Sequence, residues 1–151
     1  PAKLYAAPPP RRAPYAVLHA AASAPDKAWP AANFLETAAW LRRTHGLDPV
    51  FIGGAEDDLS AFGRYPVLAG APLAEVKSLL SGASLFIGND SGPAHMAAAF
   101  RVPVVVFFGP SDPEVWAPWK TRAEVFVSRA GLDRIDAARV WAAIERLRVA
   151  A

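Results

Sequence analysis

The sequence predicts an α/β fold built on a doubly wound parallel sheet, and two observations point there. Short apolar runs alternate along the chain with stretches of helical periodicity. Those runs are continuously apolar and not strictly alternating, which is the pattern of strands covered on both faces by crossover helices. At 151 residues the chain has room for one domain, and a chain of this size buries about 70% of the surface its unfolded form exposes.

Taken in order, Tyr15-Ala16-Val17-Leu18-His19 is the first strand, followed by a loop from Ala20 to Trp29. Pro30 suits the first position of a helix running to about His45, with Phe34, Leu35, Ala38 and Leu41 at helical spacing and Gly46 placed to end it. Pro49 to Ile52 is the second strand, stopped by Gly53-Gly54. A short helix is expected over Glu56 to Gly63 and a third strand over Pro66 to Ala69. The next helix spans Leu73 to Leu80, with Leu73, Val76, Leu79 and Leu80 on one face. A strand at Leu85-Phe86-Ile87, a short helix from Ala94 to Phe100 and a strand from Val102 to Phe108 follow. Val125-Phe126-Val127 is a sixth strand, and Asp136 to Val149 closes the chain as a helix striped by Val140, Ile144 and Leu147.

Composition removes several classes of function. There is no cysteine, which excludes a disulfide scaffold, thiol catalysis and a thiolate zinc site. The apolar fraction is 53%, but 33 residues are alanine, so the larger side chains make an ordinary core and the excess is helix-forming. The net charge is only +2, with basic residues no more concentrated than the pairs Arg11-Arg12 and Arg42-Arg43, which argues against binding nucleic acid by phosphate neutralisation. No apolar stretch approaches the roughly 20 residues of a membrane-spanning helix. Residues 1–14 carry five prolines and read as an extended linker ahead of a domain at 15–151. A domain that opens on a linker is expected to follow another segment of a longer protein.

In a doubly wound sheet, ligands sit at the carboxyl ends of the strands near the point where strand order reverses. The loops after His19, Ile52, Ile87 and Phe108 are therefore the ones that bear on function. The sharpest is Gly88-Asn89-Asp90-Ser91-Gly92-Pro93-Ala94-His95, between a strand and a helix. Backbone N–H groups of residues 92 to 95 are expected to point out at the positive end of the helix dipole, where phosphate binds readily. Ser91 offers a hydroxyl, Gly92 permits close approach, and His95 carries a ring N–H in the first turn. The alternative is that Asp90 or Ser91 only caps the helix and His95 is a surface residue. The segment is neither GxGxxG nor a P-loop, which argues against NAD and ATP hydrolysis, and the lack of a glycine fingerprint after the first strand disfavours a redox domain on a dinucleotide.

In the loop after the first strand, Lys27 is a mobile cation suited to a diphosphate, or a solvated loop lysine. Trp29 reads as a packing residue over the helix start. After the second strand, Glu56 is placed to accept from ribose hydroxyls, or to favour the start of the short helix. Gly109-Pro110-Ser111-Asp112-Pro113 bounds a pocket, or is a plain rigid turn.

HAAASAPDKAWP, FIGGAE and GNDSGPAHMAAAFRVPVVVFFGPSDPEVWAPW, in this order and spacing, resemble the carboxyl-terminal domain of the bacterial heptosyltransferases of glycosyltransferase family 9. The likeness runs from about Tyr15 to Trp119, and DSGPAH followed by PVVVFFGPSDP is its specific part. The resemblance implies a two-domain GT-B fold of Rossmann-like halves, in which this half holds a nucleotide-sugar donor and an amino-terminal half holds a lipid acceptor. By position it assigns Ser23 and Lys27 to the donor diphosphate, Glu56 to the ribose, and Asp90, Ser91, Gly92 and His95 to the diphosphate and sugar end. Asp90, being repelled by phosphate, is assigned to sugar hydroxyls or backbone N–H groups. The general base is expected in the amino-terminal half, so no catalytic residue is assigned here, and the chain alone is expected to be inactive.

The reaction implied is inverting transfer of a heptose from ADP-heptose to a lipopolysaccharide core acceptor, with no cofactor and no obligatory protein-bound metal. The setting implied is cytoplasmic, within reach of the inner membrane. Two departures stand out. Ala20-Ala21 replace a Pro-Gly common in the family after the strand histidine, and Ala28 replaces an arginine after the lysine. They are the basis of the competing reading, a non-catalytic nucleotide-binding or partner-binding module on the same fold.

Overall fold

The computed structural model describes residues 13–20, 28–89, 91–108, 121–128 and 130–147. Its centre is a six-stranded sheet in the order β3-β2-β1-β4-β5-β6, with every pairing parallel. The strands are β1 (Tyr15–His19), β2 (Asp48–Gly53), β3 (Val67–Ala69), β4 (Leu85–Asn89), β5 (Val104–Phe108) and β6 (Ala123–Val127). The helices are α1 (Ala31–Trp40), α2 (Leu73–Ser81), α3 (Gly92–Ala99) and α4 (Ala137–Leu147). This is the doubly wound, Rossmann-like arrangement that the continuous apolar runs require.

The reason is visible strand by strand. In β5, Val105 and Phe107 enter the core beneath α1 and α4, while Val104, Val106 and Phe108 enter the core beneath α2 and α3. β1 divides likewise, with Ala16 and Leu18 on one side and Tyr15 and Val17 on the other. With both faces dry, no position of such a strand is free to be polar. Tyr15 satisfies its hydroxyl by donating to the Leu79 carbonyl at 2.6 Å. On the other face the Trp40 and Trp141 rings stack with centroids 5.1 Å apart, and Trp141 Nε1 donates to Thr37 Oγ1 at 3.0 Å, tying α1 to α4.

Several boundaries differ from the sequence expectation. The first helix keeps α-geometry only to Trp40; Leu41–His45 form a π turn that Gly46 ends at φ 66°. The helix expected over Glu56 to Gly63 is only the 3₁₀ turn Ser60–Phe62. Gly54 N–H donates to Asp57 Oδ2 at 2.6 Å and Ser60 N–H donates to Asp58 Oδ1 at 3.1 Å. Such side-chain bonds to the backbone compete with helix. Leu73 is 58% exposed instead of sharing the buried face of α2 with Leu79 and Leu80. The strand at Leu85 runs two residues past Ile87, through Gly88 and Asn89, and α3 begins earlier, at Gly92. The fifth strand starts at Val104, after Pro103, which has no N–H for the ladder. The closing helix buries Val140, Ile144 and Leu147 as expected.

Candidate functional site

Strand order reverses between β1 and β4, so the crevice at their carboxyl ends is the place a doubly wound sheet offers a ligand. His19 ends β1 and pairs in register with Gly88 of β4. A side chain at 88 has no room: a Cβ there would lie 2.9 Å from His19 Cβ, His19 O and Phe86 Cζ. The glycine thus lets the His19 backbone and Cβ lie close against β4. Asn89 ends β4 almost fully buried, and its Nδ2 donates to the Ala20 carbonyl at 3.4 Å, linking the two loops.

Ser91 caps α3. Its backbone is extended, and its Oγ accepts from Ala94 N–H at 3.3 Å while lying 3.2 Å from His19 Nδ1. Burial lowers the His19 pKa, with the Asp57 carboxylate acting in the opposite direction. The ring is therefore neutral at neutral pH. The expectation that the backbone N–H groups of residues 92 to 95 stand open is corrected. Pro93 has no N–H, Ala94 donates to Ser91 Oγ, and His95 N–H donates to the Ser91 carbonyl at 3.2 Å. Gly92 remains, and among the described residues a Cβ on it would meet nothing within 4 Å. Its backbone is the approachable one.

The structure thus brings Ser91 and Gly92 to the switch point, with His95 exposed in the first turn of α3. Ser91 caps the helix and His95 lies at the surface, as the alternative reading expected of their placement. Glu56 is exposed in the turn after β2, ahead of the 3₁₀ turn and not at a helix start, so the helix-favouring account of it falls. The turn is closed by Asp57 N–H donating to the Gly54 carbonyl at 3.1 Å and Gly54 N–H donating to Asp57 Oδ2, and Gly70, at φ 64°, packs against Ala55 with its N–H donating to the Gly53 carbonyl at 2.9 Å. Ser23, Lys27, Asp90 and the turn Gly109 to Pro113 lie outside the described residues.

Trp29 is a packing residue, as expected. It is 1% exposed, stacks on Phe107 at 4.8 Å and donates Nε1 to the Ile135 carbonyl at 2.7 Å. Beside it an apolar groove of about 650 Å³ runs past Ala20, Leu59, Phe62 and Leu132, with Asp58 and Asp133 also in its wall. Among the described residues no three His, Asp or Glu side chains gather as a metal site. None of the helices described is long and apolar enough to cross a membrane. The residue that sequence reasoning passed over is His19. The signs were there: a polar residue closing an apolar strand at the carboxyl edge, and a glycine inside the pattern of its neighbour, which marks close approach.

Residues 2–136 match the family Glycosyltransferase family 9 (heptosyltransferase). Lipopolysaccharide heptosyltransferase 3 of Escherichia coli (strain K12) is 38% identical over 88 residues, covering 48% of this chain and 26% of that protein. Lipopolysaccharide heptosyltransferase 1 of Salmonella typhimurium (strain LT2) is 34% identical over 107 residues, covering 66% of this chain and 33% of that protein. Among solved structures, the E. coli heptosyltransferase WaaC with ADP superposes with a TM-score of 0.81 at 26% identity, covering 93% of this chain and 46% of that one. A glycosyl transferase family 9 structure from Veillonella parvula gives 0.77 at 26% identity, over 89% and 46%. The chain thus spans about a quarter to a third of these curated relatives and a little under half of the solved chains. With its sheet order, its capped helix at the switch point and a family match over most of its length, the chain belongs to glycosyltransferase family 9.

Proposed function

We propose that this chain is the donor-binding half of a GT-B enzyme that transfers a heptose, with inversion, from ADP-heptose to a lipopolysaccharide core acceptor. The observation that carries the reading is the α3 start. It lies at the strand-order reversal, is capped by Ser91, and presents Gly92 with its backbone open. A helix N-terminus there suits the negative charge of a diphosphate. The relative solved with ADP supports the choice of nucleotide.

In this reading Lys27, Ser23 and the α3 N-terminus hold the diphosphate and stabilise the charge that grows on it as the sugar–phosphate bond breaks. Glu56 accepts from the ribose hydroxyls. Asp90 and His95 meet the sugar end, with Asp90 bonding hydroxyls or backbone N–H groups. The acceptor and the general base that takes its proton belong to an amino-terminal half, so this chain alone transfers no sugar. The work is done in the cytoplasm, where the nucleotide sugar is available, beside the membrane that carries the lipid acceptor.

Calorimetric titration with ADP and adenosine tests it. Lys27→Ala is expected to weaken ADP about tenfold or more, as for a charge-assisted bond of about 1.5–3 kcal/mol, and to leave adenosine unchanged. Glu56→Gln is expected to weaken ADP and leave 2′,3′-dideoxy-ADP nearly unchanged. Equal losses for all ligands overturn the assignments. Tight donor binding without transfer, in a protein that includes the amino-terminal half, favours the non-catalytic module suggested by Ala20-Ala21 and Ala28.

A further inference from the structure

The His19–Ser91 contact has two hydrogen-bond directions with different consequences for a ligand. His19 lies against Gly88, where a Cβ would come within 2.9 Å of its Cβ and carbonyl oxygen; its ring Nδ1 is 3.2 Å from Ser91 Oγ, and that oxygen also accepts Ala94 N–H at 3.3 Å. A hydroxyl has one proton to give. With Nδ1 bare, the ring accepts that proton and the Ser91 O–H points into the protein. With Nδ1 protonated, the ring donates to Oγ and the hydroxyl proton is free to turn outward, past the open Gly92 backbone.

We propose that His19 is a positioning residue for the donor diphosphate: on binding it changes from acceptor to donor toward Ser91 Oγ by taking one proton from solvent at Nδ1, and so turns the Ser91 hydroxyl onto a phosphate oxygen. The inference rests on the reading that the switch point holds a diphosphate. Two opposed influences poise the ring. Burial disfavours its charged form, while Asp57, on the β2 side, favours it. The neighbouring β4 positions are Gly88 and Asn89, and the α3 cap is Ser91, none of which titrates. His95, one turn into α3, is the other titratable group described on that helix. A bound dianion adds to the Asp57 influence and shifts the balance to the imidazolium.

The test uses ADP-ribose, whose two phosphates are esterified on both sides and do not titrate near neutrality, with adenosine as control. Calorimetry across about pH 5 to 8, the histidine range, in buffers of different ionisation heat, counts protons taken up. The wild-type chain is expected to take up a proton, approaching one per ADP-ribose. Its affinity is expected to rise as pH falls, by up to about tenfold per pH unit. Adenosine binding is expected to be flat. His19→Asn, whose amide donates toward Ser91 without titrating, is expected to bind ADP-ribose with that pH dependence removed.

ADP-ribose binding without proton uptake overturns the inference and leaves the donor-half reading intact. So does an unchanged pH profile in His19→Asn, which assigns the uptake to a group other than His19. No ADP-ribose binding by the wild type overturns the donor-half reading and this inference with it. The wild-type proton count needs no variant to fold.

Discussion

Gly88 and His19 are register partners across the β1–β4 pairing, and a Cβ at 88 would come within 2.9 Å of the His19 Cβ and carbonyl oxygen. Gly88→Ala forces a methyl to within 2.9 Å of the His19 carbonyl oxygen, a backbone atom that cannot swing away. Overpacking of this kind costs about 1–3 kcal/mol. The expected outcome is a lowered denaturant midpoint with an unchanged m-value, together with loss of the His19–Ser91 contact. An alanine variant of wild-type stability would show that the strands adjust freely here.

Trp29 fastens the residue pair ahead of α1 to the segment before α4 through its bond to the Ile135 carbonyl. Trp29→Phe keeps most of the stacking on Phe107 but leaves that carbonyl without its donor. A loss of about 1–3 kcal/mol is expected, the cost of a buried polar group deprived of its partner. Equilibrium unfolding in urea measures it.

Ser91→Ala removes the cap of α3, for an expected loss of about 1 kcal/mol. The same change removes the hydroxyl assigned to the diphosphate, so it is expected to weaken ADP and spare adenosine. Ser91→Asn, which restores a capping oxygen, is expected to recover stability without recovering the pH dependence of ADP-ribose binding. Stability is read by thermal unfolding and affinity by titration.

His19 also makes folding sensitive to pH. Its folded pKa lies below the unfolded value of 6.5, so the unfolded chain takes the proton first. The contribution is fully present above the unfolded value and is lost as pH falls from there through the folded pKa. Stability measured in urea is thus expected to drop between neutral and mildly acidic pH, with a shallower drop in His19→Gln. Parallel profiles for the two proteins would assign the drop to other groups.

Much of this protein is legible one residue at a time. The strands of the sheet, α4 with its Val140, Ile144 and Leu147 stripe, and the role of Trp29 follow from apolar content and spacing, because burial on both faces leaves the same mark wherever a strand sits. The family resemblance rests likewise on contiguous motifs. Local competition escaped the reading of residues 56–63, where Asp57 and Asp58 take backbone N–H groups that a helix would need.

The site was legible only in part. Ser91 and Gly92 announce themselves beside Pro93 as a helix start, but which of the neighbouring N–H groups stay open depends on where the Ser91 oxygens point. His19 and Ser91 are 72 residues apart. Nothing in either neighbourhood pairs them. Strand order does: with β4 laid beside β1, the carboxyl ends of two strands remote in sequence meet, and Gly88 lets them lie close where His19 and Ser91 come together. The layers and the chemistry on offer at each loop are written in the order of residues along the chain. Which groups share a hydrogen bond is not, because that depends on distances of a few tenths of an ångström set by packing across the sheet.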